Sequence, residues 1–260
     1  MKMPSAFMLL GAMLVSACGP GGSSRRADDS AAAASNADSA ARDSASRSPS
    51  SADAASEFRA VGNEPGWMLS ITDSLTVLQW DYGERKASAA TPPAQSIPNG
   101  RRYAVAGDSA FTVTVRDTLC ADGMSGRQFP SRVQVSIGSR TLDGCGGDPA
   151  ALLQGGEWEV DSLNGKPLVD GSPITITFGM DGRVNGAACN SFSATYAMKV
   201  EGIAMGPVNT TRRACPPAVN AQETAFLKLM YDVVPYEVSP DGALILGAGN
   251  RDGRLHARRR

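Results

Sequence analysis

From Gly19 to Ser56 the chain carries no Val, Ile, Leu, Met or aromatic residue; of these 38 positions, 11 are Ser and 12 are Ala. Such a stretch buries too little apolar surface to offset the entropy of ordering it. Its Ala runs are interrupted by Ser, Asp, Asn and Pro49, which argues against a stable helix. Five Asp and four Arg nearly cancel. The segment is expected to be a flexible tether, so the fold must be built from the residues beyond it. These suffice for one or two domains.

What precedes the tether is short and apolar. Residues 1–18 read MKMPSAFMLLGAMLVSAC, with Lys2 before an apolar run from Phe7 to Val15 and the small residues Ser16 and Ala17 before Cys18. The run falls short of the ~20 residues that span a bilayer and fits a signal segment removed on export, over 1–17. Val15-Ser16-Ala17-Cys18 resembles a bacterial lipobox. That resemblance implies a lipidated Cys18 as the first residue of the mature chain, anchored by acyl chains that each add about 0.8 kcal/mol per buried CH₂. Gly19, in place of an Asp, resembles the pattern of lipoproteins sent on to the outer membrane.

The remainder reads as strands. Trp67–Ile71 and Leu75–Trp80 flank the turn residues Thr72-Asp73-Ser74. Phe111–Val115 and Val133–Ile137 alternate with period two. Ala87–Arg102 is rich in Ala, Ser, Pro and Gly and reads as a loop. Further on, Asn164-Gly165 and Asp181-Gly182 mark hairpins around Trp158–Val160 and Ile174–Phe178. Another short strand runs to Tyr196. One helix is expected from an N-cap at Asn220, with Phe226, Leu229, Met230 and Val233 as its buried stripe, Glu223 in its first turn and Pro235 as its stop. Ala243–Leu246 and Arg254–Ala257 supply closing strands around a Gly247–Gly253 turn. The fold class is mainly β, α+β in the second module: two small antiparallel β-rich modules over 58–150 and 152–258, the latter with a single packed helix.

The chain has five cysteines. With Cys18 lipidated, Cys120 and Cys145 are expected to form a structural disulfide in an oxidising compartment, leaving Cys189 and Cys215 for each other. Four cysteines permit three connectivities, so a cross-module pairing stays open.

Two resemblances follow. FRAVGNEPGW (58–67), CADGMSGRQFP (120–130) and LDGCGG (142–147) resemble an uncharacterised bacterial envelope family with a Cys-x-Asp-Gly-Met-Ser motif, which implies no activity. Trp158…Leu163-Asn164-Gly165, Gly186-Ala187-Ala188-Cys189-Asn190-Ser191-Phe192…Tyr196, Thr210-Thr211-Arg212-Arg213-Ala214-Cys215 and Glu223…Phe226…Leu229 resemble a META domain of the HslJ type. Ala188 stands where that family has Gly, which questions a positive-φ position. Arg213 replaces an apolar residue and is expected to be exposed. The resemblance implies a small β-rich fold with one helix, found in envelope proteins linked to heat stress and drug tolerance.

The function classes narrow accordingly. Lys+Arg 25 against Asp+Glu 26 gives a net charge of -1, which argues against a nucleic-acid partner. One His, His256, rules out a multi-His metal site; it is expected to be exposed at a strand end beside Arg258-Arg259-Arg260, a cationic tail with only weak attraction for anionic surfaces. No cofactor and no metal is expected. No Gly-x-Ser-x-Gly, phosphate loop or metal-ligand cluster occurs. The leading expectation is a non-enzymatic envelope lipoprotein, facing the periplasm from the outer membrane, that binds an envelope protein, peptide or small ligand. Asp122, Arg127 and Asn190 are its candidate ligand contacts; loop glycines near Asp122 equally suit positive-φ turns, and Asn190 suits a turn cap. The alternatives are an inhibitor of a secreted enzyme, and a hydrolase or transferase working through carboxylates such as Asp122 and Glu223.

Overall fold

Eleven strands follow one another in the N-terminal module: β1 (Phe58–Asn63), β2 (Gly66–Ile71), β3 (Leu75–Trp80), β4 (Arg85–Ala90), β5 (Gln95–Ile97), β6 (Gly100–Val105), β7 (Phe111–Arg116), β8 (Cys120–Ala121), β9 (Gln128–Phe129), β10 (Ser131–Ile137) and β11 (Arg140–Gly146). The computed structural model describes residues 57–231, 233–247 and 253–260. The signal segment, Cys18, the tether and most of the Gly247–Gly253 turn lie outside the described residues.

Nine of these strands form one antiparallel sheet, in the order β4-β3-β2-β1-β11-β10-β7-β6-β5; β8 and β9 pair separately. Period-two alternation puts Trp67, Leu69 and Ile71 of β2, Leu78 and Trp80 of β3, Phe111, Val113 and Val115 of β7, and Val133 and Val135 of β10 on one buried face. The register aligns them, Leu69 opposite Leu78 and Val113 opposite Val135. All these side chains belong to one core cluster. A single sheet that buries one face within a single cluster must curl around it, as twisted sheets do.

The expected loop over 87–102 is corrected: β4, β5 and the start of β6 occupy it. Its Ala and Ser side chains are too small and polar to show an apolar period. Backbone pairing from Leu75↔Ala90 to Trp80↔Arg85 holds β4 in place instead.

A 3₁₀ turn, η1 (Pro149–Leu152), follows β11, with the Asp148 side chain accepting from the Ala150 N–H at 2.9 Å. The C-terminal module then runs β12 (Glu157–Leu163), β13 (Lys166–Pro167), β14 (Thr175–Phe178), β15 (Arg183–Ala187), β16 (Ser191–Met198), β17 (Ile203–Met205), β18 (Asn209–Thr210), α1 (Pro217–Leu229), β19 (Val233–Val234), β20 (Tyr236–Val238), β21 (Leu244–Leu246) and β22 (Leu255–Arg259). Its antiparallel sheet has the order β19-β17-β16-β15-β14-β12-β22-β21-β20, with β13 on β12 and β18 on β16. Asn164 and Gly165, at φ 55° and 72°, make the predicted Asn-Gly turn between β12 and β13. Trp158, Ile174, Ile176, Phe178, Phe192 and Tyr196 pack in one core with Phe226 and Met230 from the helix end.

The helix differs from the expectation. It begins at Pro217, with Pro216 as an N-cap that makes no side-chain hydrogen bond. Proline at the first position presets the helical φ and forfeits an N–H that has no partner there, so Asn220 is internal. Glu223 accordingly lies beyond the first turn and is buried, and Val233 belongs to β19. His256 is not an exposed strand end: it is half-buried within β22, opposite Ser162 and Ile245. Nor is the basic terminus free. Arg258 pairs with Asp161 (3.1 Å), Arg260 with Glu157 (3.5 Å) and Glu159 (3.6 Å), and Arg259 lies 4.8 Å from the Trp158 ring centroid. The acidic residues of β12 take up the tail's charge, because β22 runs alongside β12 through Arg259.

Both disulfides fall within modules, Cys120–Cys145 with Cα atoms 5.5 Å apart and Cys189–Cys215 at 6.6 Å. Loops of this length stabilise by about 3 kcal/mol each in the chain-entropy model. Among the described residues no helix is long and apolar enough to cross a membrane.

Candidate binding site at the junction of the two modules

The three N-terminal segments FRAVGNEPGW, CADGMSGRQFP and LDGCGG, far apart in the chain, meet in one place. β1 and β11 pair as neighbours, Val61 opposite Cys145, and the disulfide fastens β8 to β11. The Trp67 indole N–H donates to the Asp143 carbonyl at 3.1 Å. Its ring lies on two glycines: a Cβ on Gly62 would sit 2.1 Å from Trp67 Nε1, and one on Gly144 2.6 Å from Trp67 Cζ2.

Between β8 and β9, residues 122–127 form a loop closed by Asp122 N–H to Arg127 O and Gly126 N–H to Asp122 O, both 2.8 Å. Gly126, at φ 70°, is the loop glycine whose backbone requires the left-handed region. Asp122 organises the rest. Its Oδ1 accepts from the Ser125 N–H (2.7 Å) and hydroxyl (2.6 Å), and its Oδ2 accepts from Asn63 Nδ2 (2.6 Å). Burial pushes this carboxyl's pKa up, but hydrogen bonds from Ser125, Asn63 and the Met124 N–H outweigh it and hold the group below the ordinary aspartate value. A depressed native pKa stabilises the fold above the unfolded value of about 3.9, and that contribution is lost as pH falls through the native value. Stability should therefore decline less steeply below about pH 4 in Asp122→Asn than in the parent protein. Equal slopes in acid unfolding curves would contradict this role.

The next residues reach across to the C-terminal module. Gln128 Nε2 donates to the Val238 carbonyl at 2.8 Å, and the Val238 N–H donates to Gln128 Oε1 at 2.7 Å. One side-chain amide thus satisfies both backbone groups of a residue on β20, the outermost strand of its sheet. This protects an edge that would otherwise recruit another chain. Arg127 places its guanidinium 5.5 Å from the Phe129 ring centroid. Its Nε is buried without a hydrogen-bond partner, and so is the Tyr236 hydroxyl. Burial raises the Tyr236 pKa; the charge of Arg127 acts against that rise and the charge of Asp148 adds to it. Arg127, Tyr236 and Asp148 therefore share one neighbourhood at the junction. Beside it lies a cleft of about 510 Å³, lined in part by Val61, Arg127, Phe129, Asp148 and Pro149.

Asn190 is placed elsewhere, in the C-terminal module, as the buried centre of a polar cluster. Its backbone N–H donates to Glu223 Oε1 (2.7 Å) and its Nδ2 to Glu223 Oε2 (3.0 Å). Its Oδ1 accepts from the Thr211 hydroxyl (2.9 Å) and the Arg213 N–H (2.7 Å). The exposed Arg213 returns a side-chain hydrogen bond to the Cys189 carbonyl. Ala188 is buried and outside the positive-φ region, so alanine fits there without backbone strain.

The structure thus separates the three candidate contacts. Asp122 and Asn190 are held by internal partners, whereas Arg127 faces a cleft with its Nε unsatisfied. Gln128, Tyr236 and Asp148 carry no sequence signal for this role: their partners lie up to 110 positions away. Among the described residues no group of three or more His, Cys, Asp or Glu is placed to hold a metal ion.

No curated protein matches the chain. It is similar to two solved NMR structures. One is 22% identical, over 42% of this chain and 92% of the other, with a TM-score of 0.37. The second, of a protein from Burkholderia xenovorans, is 22% identical over 43% of this chain and 86% of the other, with a TM-score of 0.36. The family model for the META domain matches residues 151–259. With its single helix, its β-rich sheet and its Cys189–Cys215 bond, the C-terminal module of this chain is a META domain.

Proposed function

We propose that this protein is a non-enzymatic lipoprotein of the bacterial envelope, anchored through Cys18 in the outer membrane and facing the periplasm. It binds a protein, peptide or small ligand there in a role tied to stress or drug tolerance. One observation carries the reading: both oxygens of Asp122 and both of Glu223, the two carboxylates singled out for acid–base work, are engaged by internal hydrogen bonds. A general acid or base needs an oxygen within reach of a substrate proton. The Gln128–Val238 link supports a binding role further, since it joins the two modules without spending the cleft beside it.

The experiment is a broad hydrolase screen on the detergent-solubilised protein, run alongside its Asp122→Ala and Glu223→Ala variants. No turnover is expected. Reproducible turnover that disappears in either variant would overturn the non-enzymatic reading. The anchor is tested by fractionation: Cys18→Ser should move the protein from the membrane to the soluble fraction, and retention in the membrane would defeat the lipoprotein assignment.

A second reading, an inhibitor of a secreted enzyme, is favoured by Met124. It is 78% exposed on the 122–127 loop, whose base is fixed by a disulfide and whose interior is tied by Asp122. Rigid presentation of an apolar side chain lowers the entropy lost on binding. A partner enzyme that loses activity in the complex, and regains it with Met124→Ser, would select this reading.

A further inference from the structure

The cleft of about 510 Å³ beside β1 and η1 falls in the size range of small-molecule sites. Its charges are unevenly spent. Glu57 accepts from Arg59 at 2.6 Å and from the Ser70 hydroxyl. Asp148 gives one oxygen to the Ala150 N–H. Arg127 forms no ion pair among the described residues, and its Nε is buried with no acceptor. Nε is closed to water, so an acceptor entering the cleft meets the terminal guanidinium nitrogens, which make no hydrogen bond to another described residue. The cleft's other surface is apolar: Val61 beside the buried Phe129 and Pro149.

We propose that this cleft binds an organic carboxylate, its charged end on the Arg127 guanidinium and its apolar body against Val61, Phe129 and Pro149. A planar carboxylate matches the guanidinium fork. Arg59 is already paired with Glu57, and Asp148 opposes any anion in the cleft, so a phosphate dianion meets about twice the repulsion that a carboxylate does, against the same Arg127. The inference deepens the binding reading and rests on it.

The test is isothermal titration calorimetry on the full chain in detergent. The probes are 3-phenylpropanoate, its neutral amide and inorganic phosphate. The acid is expected to bind, with the amide and phosphate each weaker by about tenfold or more. Arg127→Gln should weaken the acid by a similar factor with an unchanged near-UV spectrum. Asp148→Asn, which keeps a capping side chain, should tighten it by removing the like charge. Equal affinity for acid and amide, tighter binding of phosphate, or undiminished binding in Arg127→Gln would overturn the proposal. So would an absence of heat from a protein with a normal melting transition. None of these results produces turnover, so failure of this site is distinguishable from failure of the non-enzymatic reading, which the hydrolase screen detects.

Discussion

Gly144→Ala is expected to destabilise the N-terminal module by about 3 kcal/mol, the upper end of the overpacking range. The added Cβ would lie 2.1 Å from the Val61 carbonyl oxygen and 2.6 Å from Trp67 Cζ2. Relief must come from backbone, because Val61 belongs to β1, the strand paired with β11. Moving the indole as well puts its hydrogen bond to Asp143 at risk. Gly123→Ala supplies the contrast. That glycine belongs to the Cys-x-Asp-Gly-Met-Ser motif and lies outside the positive-φ set, and a Cβ added to it would meet nothing within 4 Å. Its substitution should leave stability within about 0.5 kcal/mol. Urea unfolding of both variants with disulfides intact decides the point. Coincident midpoints would mean that the Trp67 contact does not hold β1 against β11.

These two glycines show what kind of information a single sequence carries. Loop glycines read naturally as positive-φ positions, and Gly126 is one. Gly144 is different: it lies inside β11, and its requirement is room for an indole 77 positions earlier in the chain. Local pattern does identify β2, β3, β7 and β10, because each buries every second side chain. It fails for β4, RKASAA, where Ala87 is the buried residue and pairing with β3 makes the strand. The helix is visible through Phe226 and Met230, but its start is not. Pro216-Pro217 reads as a break, and it is also a favourable first turn.

The junction is legible only in part. Asp122 and Arg127 stand out as polar residues in a glycine-bearing loop, yet their roles are opposite: Asp122 is consumed by the loop and Arg127 is left without a partner for its Nε. Composition cannot make that distinction, because it depends on which donors surround each group after folding. Gln128 is a stronger case. A glutamine beside Arg127 reads as loop surface, and its actual partner, Val238, becomes its neighbour only when both sheets have formed. The near-neutral charge likewise hides local differences: the terminal arginines are matched by Asp161, Glu157 and Glu159, whereas Arg127 makes no ion pair among the described residues.

Glu223→Ala should destabilise the META domain by about 3 kcal/mol, since it removes the acceptor of two buried donors of Asn190 at once and leaves Nδ2 only its long contacts to the Arg213 carbonyl (3.4 Å) and Cys215 Sγ (3.7 Å). Glu223→Gln separates hydrogen bonding from side-chain volume. The glutamine carbonyl still accepts from one donor, but its NH₂ group faces the other, donor against donor. Asn190 cannot turn its amide over to relieve this, because its Oδ1 already accepts from Thr211 and from the Arg213 N–H. The Gln variant is therefore expected to fall between Ala and the parent, losing about 1–2 kcal/mol. The consequence spreads beyond one pair. Asn190 links the β15–β16 turn, the segment that leads into α1, and α1 itself, and the flanking Cys189 is bonded to Cys215 on that same segment. With the disulfide kept, the Ala variant should expose amides of 211–216 to faster hydrogen exchange while those of β14 and β12 stay protected. A Gln variant as stable as the parent would show that Asn190 has found another arrangement, and that Glu223 is not the acceptor that holds it.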